Sequence, residues 1–179
     1  MAAERDPGLL RPPFLRAADH AIGEGGPALV MFGDYEDPDS AAADRAIRAL
    51  RARWDGFTYA WRHLPLGEAH PHANGAALAA EGAAAQEAFW AYHHVLLARQ
   101  DALTVPDLLA YAGSLGLDVP RLMDDMREAR HVERILDDIR SAVSSGATST
   151  PAIFIESVRW DGGWEPEALE AALRAALAG

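Results

Sequence analysis

Five carboxylates fall within eleven residues of this 179-residue chain, Asp34, Glu36, Asp37, Asp39 and Asp44, and Ser40 stands among them. Three kinds of chemistry could use such a cluster. Hard cations such as calcium or magnesium want clustered oxygen ligands, and Asp34, Glu36, Asp37 and Asp39 offer four. Their spacing is not that of a calcium loop, however, and Pro38 constrains the backbone between them. A Ser/His/Asp hydrolase could be drawn from Ser40, His63 and Asp37, but no Gly-x-Ser-x-Gly elbow surrounds the serine and no oxyanion hole is evident. The third use is structural. An aspartate at a helix start accepts backbone N–H bonds, and its charge there is favourable by about 0.3–1 kcal/mol. Helix capping with a solvated rim is therefore the expected role of the cluster.

The seven histidines invite a zinc reading. His70 and His72 lie two apart and His93 and His94 are adjacent, whereas ligand pairs on a helix sit four apart on one face. Structural or surface histidines are expected, with no metal and no cofactor. Trp54, Trp61, Trp90, Trp160 and Trp164 are expected to pack rather than to form a ligand box.

The elements that must position these residues are legible as patterns. Residues 1–27 carry Pro7, Pro12, Pro13 and a Gly-rich stretch before Pro27, and read as an irregular lead-in. Ala28, Leu29, Val30, Met31 and Phe32 form a short apolar run, as in a strand buried on both faces. Ala43, Ala46, Ile47, Leu50 and Trp54 then recur at helical spacing, Gly56 ends that helix, and residues 57–63 read as a second strand. Strand, helix, strand makes a βαβ unit with a right-handed crossover. Residues 71–97 are Ala-rich and predicted as two helices broken near Gly82. Thr104 with Pro106 and Asp107, and Asp118 with Pro120, each mark a helix start. Val132, Ile135, Leu136, Ile139 and Val143 form an apolar stripe on a further helix. Residues 151–155 and 158–160 read as two strands joined by a tight turn, before a last helix carrying Leu169, Leu173 and Leu177.

Composition narrows the classes further. A net charge of −11 and a pI near 4.9 argue against a nucleic-acid partner and against an anionic membrane surface. No apolar run approaches the ~20 residues that span a bilayer, and no basic start followed by an apolar run suggests a signal peptide. A cytoplasmic location is expected. The chain has no cysteine, hence no disulfide and no thiolate ligand.

Seven pieces of the chain, in this order, resemble the DsbA-like thioredoxin family. They are residues 30–38 with Phe32, Gly33, Asp34, Tyr35 and Pro38; Arg62, His63 and Pro65; His70, Pro71 and His72; Phe89 and Trp90; Leu117 and Asp118; Thr150 and Pro151 with the apolar residues up to Ile155; and Asp161 with Gly162. The resemblance begins near Asp19 and His20 and runs to the C-terminus. It implies an α/β, thioredoxin-like fold over residues 28–179 with a helical insertion over about 68–146. It also implies a cis Thr150–Pro151 peptide facing the start of the first helix, beside a groove that takes extended peptide.

The departure lies at the chemical centre. Where the family carries Cys-Pro-x-Cys, this chain has Asp37, Pro38, Asp39 and Ser40, with Asp37 at the attacking position and Ser40 at the resolving one. Disulfide exchange requires sulfur attacking sulfur, so no disulfide oxidoreductase activity is expected. The expected role is instead binding of a peptide, a protein partner or a small ligand at the groove by the former active site, bordered by Tyr35, Trp160 and Trp164, with no catalytic residue. The alternative is a glutathione-dependent transferase or isomerase resembling the kappa class, whose serine matches the position of Asp37.

Overall fold

The computed structural model describes residues 13–178. Of the lead-in predicted as irregular over residues 1–27, residues 1–12 thus lie outside the described part, and the remainder holds a strand: β1 (His20–Ile22). Its three residues are too few to show a period, and only the edge of a neighbouring strand makes it one. Then follow β2 (Ala28–Gly33), α1 (Pro38–Arg53) and β3 (Thr58–His63). Next come α2 (Ala73–Ala84), α3 (Phe89–Ala98), α4 (Val105–Ser114), α5 (Val119–Arg127) and α6 (Val132–Ser144). The chain closes with β4 (Ala152–Ile155), β5 (Val158–Trp160) and α7 (Pro166–Ala178).

The sheet order is β1-β3-β2-β4-β5. Only β2 and β3 are parallel, joined by α1; the other neighbours are antiparallel. Alternation along the strands sorts the apolar residues onto two faces. Leu29, Met31, Tyr59, Trp61, Ile153 and Ile155 face the larger core, shared with Ile47 and Leu50 of α1 and Leu169 and Leu173 of α7. Val30, Phe32, Ala60, Ala152 and Phe154 face a smaller one, closed by Ala142 of α6. Each large side chain so buried contributes about 1.5–3 kcal/mol.

Gly82 does not break the Ala-rich segment. It lies within α2, where its missing side chain lets α5 approach: a Cβ there would stand 2.4 Å from Leu122 Cδ1. The break falls at residues 85–88, where Glu87 takes a left-handed φ of 61°. The α4 and α5 starts are as the sequence predicts, with Thr104 and Asp107 in a reciprocal capping box and Asp118 capping the Arg121 N–H at 3.0 Å.

The apolar stripe on α6 is displaced. Val143 is 67 % exposed, whereas Ile135, Asp138 and Ala142 are buried. Asp138 explains the shift. Its carboxylate accepts from Arg16 (2.5 Å), from Arg134 and from the His63 backbone N–H (3.0 Å). Arg62, also buried, donates to Asp19 (2.7 Å), Ser141 (2.9 Å) and the Phe14 carbonyl. This buried ionic knot fastens the segment before β1 to β3 and α6. Removing one member would strand the charge of another, at a cost of about 3–5 kcal/mol.

Candidate functional site at the start of the first helix

The register of the sheet brings two distant segments together. Phe32 lies opposite Ala152, so Pro151 stands level with Gly33, where β2 gives way to the loop leading into α1. The loop and the Thr150–Pro151 peptide, which is cis, therefore share one end of the sheet.

Asp37 is the N-cap of α1, with extended backbone, and Pro38 takes the first helical position, where a missing N–H costs nothing. Its Oδ1 accepts from the Asp39 N–H (3.1 Å) and its Oδ2 from the Ser40 N–H (3.0 Å) and the Ser40 hydroxyl (2.6 Å). Asp37 is 7 % exposed and Ser40 0 %. The Ser40 Oγ in turn accepts from the Asp34 N–H at 3.2 Å. The side-chain oxygens of Asp37 and Ser40 are thus bonded to each other and to the helix start. A serine so enclosed cannot reach a substrate, which removes the hydrolase reading.

The other acids are spoken for in the same way. Asp34 accepts from the Glu36 N–H, the Leu66 N–H and His70 Nδ1, each at 2.8 Å, and Glu36 accepts from the His72 N–H at 2.6 Å. The hydrogen bond to Asp34 raises the His70 imidazole above its ordinary range, against a smaller effect of burial. Gln100 closes the loop from the far side, donating to the carbonyls of Tyr35 (2.9 Å) and Asp37 (2.8 Å). Asp34, Glu36 and Asp37 thus cap the helix start and close the loop before it. Asp39 alone of the four keeps an exposed carboxylate with no partner among the described residues.

Behind the loop lies a buried polar layer that sequence reasoning missed. Tyr35 was expected at the rim of the groove; it is 1 % exposed instead, its ring stacked on Trp61 at 5.2 Å and its hydroxyl 2.9 Å from His93 Nδ1. His93 Nε2 meets Asp44 Oδ1 (3.2 Å), which also accepts from the Tyr59 hydroxyl (3.1 Å). A carboxylate only accepts, so Nε2 carries the proton, and Nδ1 accepts from Tyr35. Burial pushes His93 below the ordinary imidazole range despite Asp44, and pushes both tyrosine hydroxyls well up. All three groups keep the protons this chain of bonds requires.

A second set joins His20 Nε2 (2.7 Å) and His63 Nε2 (2.8 Å) to one oxygen of Glu81. Burial pushes the Glu81 carboxyl up, but the two histidine bonds outweigh it and hold the group well below the usual carboxylate range. His20, His63 and Glu81, like Asp44, His93 and His94, bring ligand-type atoms within 4.8 Å of one another. In both sets histidine nitrogens are hydrogen-bonded to the carboxylate. Trp61 Nε1 donates to His63 Nδ1 (3.4 Å), which must therefore keep its lone pair. A metal on Nε2 would put a proton there, facing that N–H. In the other set His93 already spends both nitrogens, and Arg48 stands beside Asp44. A buried histidine with two polar partners leaves no periodic signal, so neither set was readable in the sequence.

Thr150 and Pro151 are half-buried, and Thr150 makes no hydrogen bond among the described residues. Trp160 pairs with Ile153 across the sheet, and both Trp160 and Trp164 lean on the larger core. The Trp160 indole donates to the Gly163 carbonyl (3.0 Å), which holds its ring against its own turn.

The DSBA-like thioredoxin domain family matches residues 70–174. Among full sequences, the Na(+)/H(+) antiporter NhaA 1 of Salinispora arenicola is 41 % identical over 163 residues, covering 90 % of this chain and 25 % of the antiporter. The Na(+)/H(+) antiporter NhaA 1 of Mycolicibacterium vanbaalenii is 37 % identical over 172 residues, covering 93 % and 28 %. The chain thus spans about a quarter of each antiporter's length. Among solved structures, a thioredoxin-like oxidoreductase from Silicibacter pomeroyi superposes with a TM-score of 0.82 at 26 % identity, covering 92 % of this chain and 95 % of its own. BdbD from Bacillus subtilis superposes at 0.85 with 17 % identity, covering 96 % and 98 %, a likeness of fold.

Proposed function

Because the chain belongs to the DSBA-like thioredoxin domain family and contains no cysteine, we propose that it is a redox-inactive member whose role is to bind an extended segment of a partner protein beside Thr150–Pro151. Thiol–disulfide exchange is closed to it, since the chain has no thiol to attack and no disulfide to be attacked. The observation that carries the binding reading is Thr150: its backbone groups lie outside β4 and without partners among the described residues, at the end of the sheet that holds the α1 start. An extended peptide recognises free backbone groups of this kind by pairing with them. The acidic rim at Asp39 favours a basic peptide. Similarity to a quarter of two antiporter chains supports a module that works in contact with other protein. Among the described residues no helix is long and apolar enough to cross a membrane.

The glutathione-transferase alternative finds no support at the cap. Asp37 already takes the Asp39 and Ser40 N–H groups that would stabilise a thiolate, and brings a negative charge to the place where one would sit.

Selection from a library of random extended peptides displayed on phage tests the proposal. Enriched peptides are expected to be basic and to lose binding to Thr150→Pro and Asp39→Lys variants. Peptides that bind both variants as well as the wild-type chain would place recognition elsewhere and refute it.

A further inference from the structure

A cleft runs along the seam of α1 and α3. It consists of a cavity of about 470 Å³ lined by Ala41, Asp44, Arg45, Arg48, His94 and Leu97, and an adjoining one of about 310 Å³. The second shares Arg48 and His94 and adds Arg51, Tyr59, Trp90 and Ile22. Their size is that of a small-molecule site.

The charge of the cleft opposes that of the protein. The chain carries −11, yet three guanidiniums and a single carboxylate line this cleft. Arg51 is committed, donating to the Phe57 carbonyl at 2.7 Å. Arg45 and Arg48 are not. Among the described residues every other arginine except Arg99 donates a hydrogen bond, whereas Arg45 and Arg48 donate none, and the nearest carboxylate oxygen to Arg48 is Asp44 Oδ2 at 3.9 Å. Tyr59 and His93 both bond Asp44 Oδ1, which leaves Oδ2 facing Arg48. Three residues apart on α1, Arg45 and Arg48 present their heads on one face. His94 adds a neutral donor, since burial, then His93 and Arg48, push it down to about 4. The far end of the cleft is aromatic, with the rings of Trp90 and His94 tilted against each other at 6.0 Å and Tyr59 beside Trp90.

We infer that the cleft between α1 and α3 binds a small organic anion with a flat apolar body, its acid group held by Arg45 and Arg48 and its body against Trp90. Guanidinium pairs suit planar carboxylates by bidentate bonding, and an aromatic carboxylate is the simplest molecule that fills both ends.

Titration calorimetry with 2-naphthoate on the full chain tests this, with neutral 2-naphthalenemethanol and inorganic phosphate as comparisons. Saturable binding of naphthoate is expected, at least tenfold tighter than either comparison. The double variant Arg45→Ala, Arg48→Ala should lower the affinity at least tenfold, and Arg99→Ala should leave it unchanged. Circular dichroism checks that each variant stays folded; both cleft arginines are exposed, and Arg48 also stands 3.9 Å from the buried Asp44 carboxylate. Absence of naphthoate binding, equal binding of the alcohol, equal binding of phosphate, or undiminished binding by the double variant would each overturn the inference.

Discussion

Replacing Asp37 by alanine removes three hydrogen bonds at once, and the loss can be divided. Two go to backbone N–H groups of Asp39 and Ser40, the usual work of an N-cap, whose deletion costs about 0.5–2 kcal/mol. The third takes the proton of the Ser40 hydroxyl, which is wholly buried and has no other acceptor among the described residues. Leaving a buried donor unpaired costs about 1–3 kcal/mol. Asp37→Ala should therefore destabilise by about 2–4 kcal/mol, a large part of the 5–15 kcal/mol typical of a domain. Ser40→Ala should cost about 1–3 kcal/mol, because the Asp34 N–H loses its acceptor. The double variant should cost about 1–2 kcal/mol less than the sum, since the hydroxyl that Asp37→Ala strands is then gone. Urea denaturation of the four proteins measures this, with the midpoint moving at constant slope. A cost below about 0.5 kcal/mol for Asp37→Ala, or additivity within about 0.5 kcal/mol, would show that the carboxylate does not hold the cap.

Three further outcomes are expected. Restoring sulfur with Asp37→Cys and Ser40→Cys together should yield a pair that oxidises, with the thiol at position 37 titrating below the ordinary ~8.5 because the helix start faces it; a folded double variant whose thiol titrates near 8.5 or above would show that the frame no longer activates sulfur. The pH dependence of stability should have two opposed parts. His70 is raised by Asp34, so its contribution is present below pH 6.5 and is lost as pH rises through its folded value; His70→Gln should abolish that loss in thermal melts between pH 6 and 9. His94 is lowered to about 4, so the unfolded chain takes up its proton first and stability falls as pH drops from 6.5 towards 4; His94→Gln should flatten that limb, and an unchanged slope would refute the assignment. Gly33→Ala would set a Cβ 2.2 Å from the rigid, buried ring of Trp61, and calorimetry should show a loss of about 1–3 kcal/mol.

The larger elements were legible because burial leaves a period. The run before Gly33, the helical repeat through Ile47 and Leu50, and the Thr104 and Asp118 caps all carry their own signatures, and the structure places elements there. The predicted stop at Gly82 failed because a glycine that ends a helix and one that admits a neighbour look alike in sequence; Leu122, forty residues on, decides between them. Val143 was assigned to the core for a related reason. The α6 face is chosen by an ionic contact to Arg16, Arg134 and the His63 backbone, so an aspartate displaces a valine that hydropathy prefers. Tyr35 sits two residues from Asp37 and invited a place at the rim, but a ring stacked on Trp61 and bonded to His93 must lie inside.

What the sequence determined by itself was the chemistry that is absent. Without cysteine no sulfur exchange is possible in any fold, and an aspartate followed by proline before a helical repeat is a cap wherever it stands. What only the tertiary structure decided was where each polar group finds its partner. The Tyr35, His93 and Asp44 chain, the Glu81 carboxylate shared by His20 and His63, and the level of Pro151 beside Gly33 all join residues far apart in sequence. A hydrogen bond in the interior is set by distance and direction in space, and pairings of that range leave no pattern along the chain.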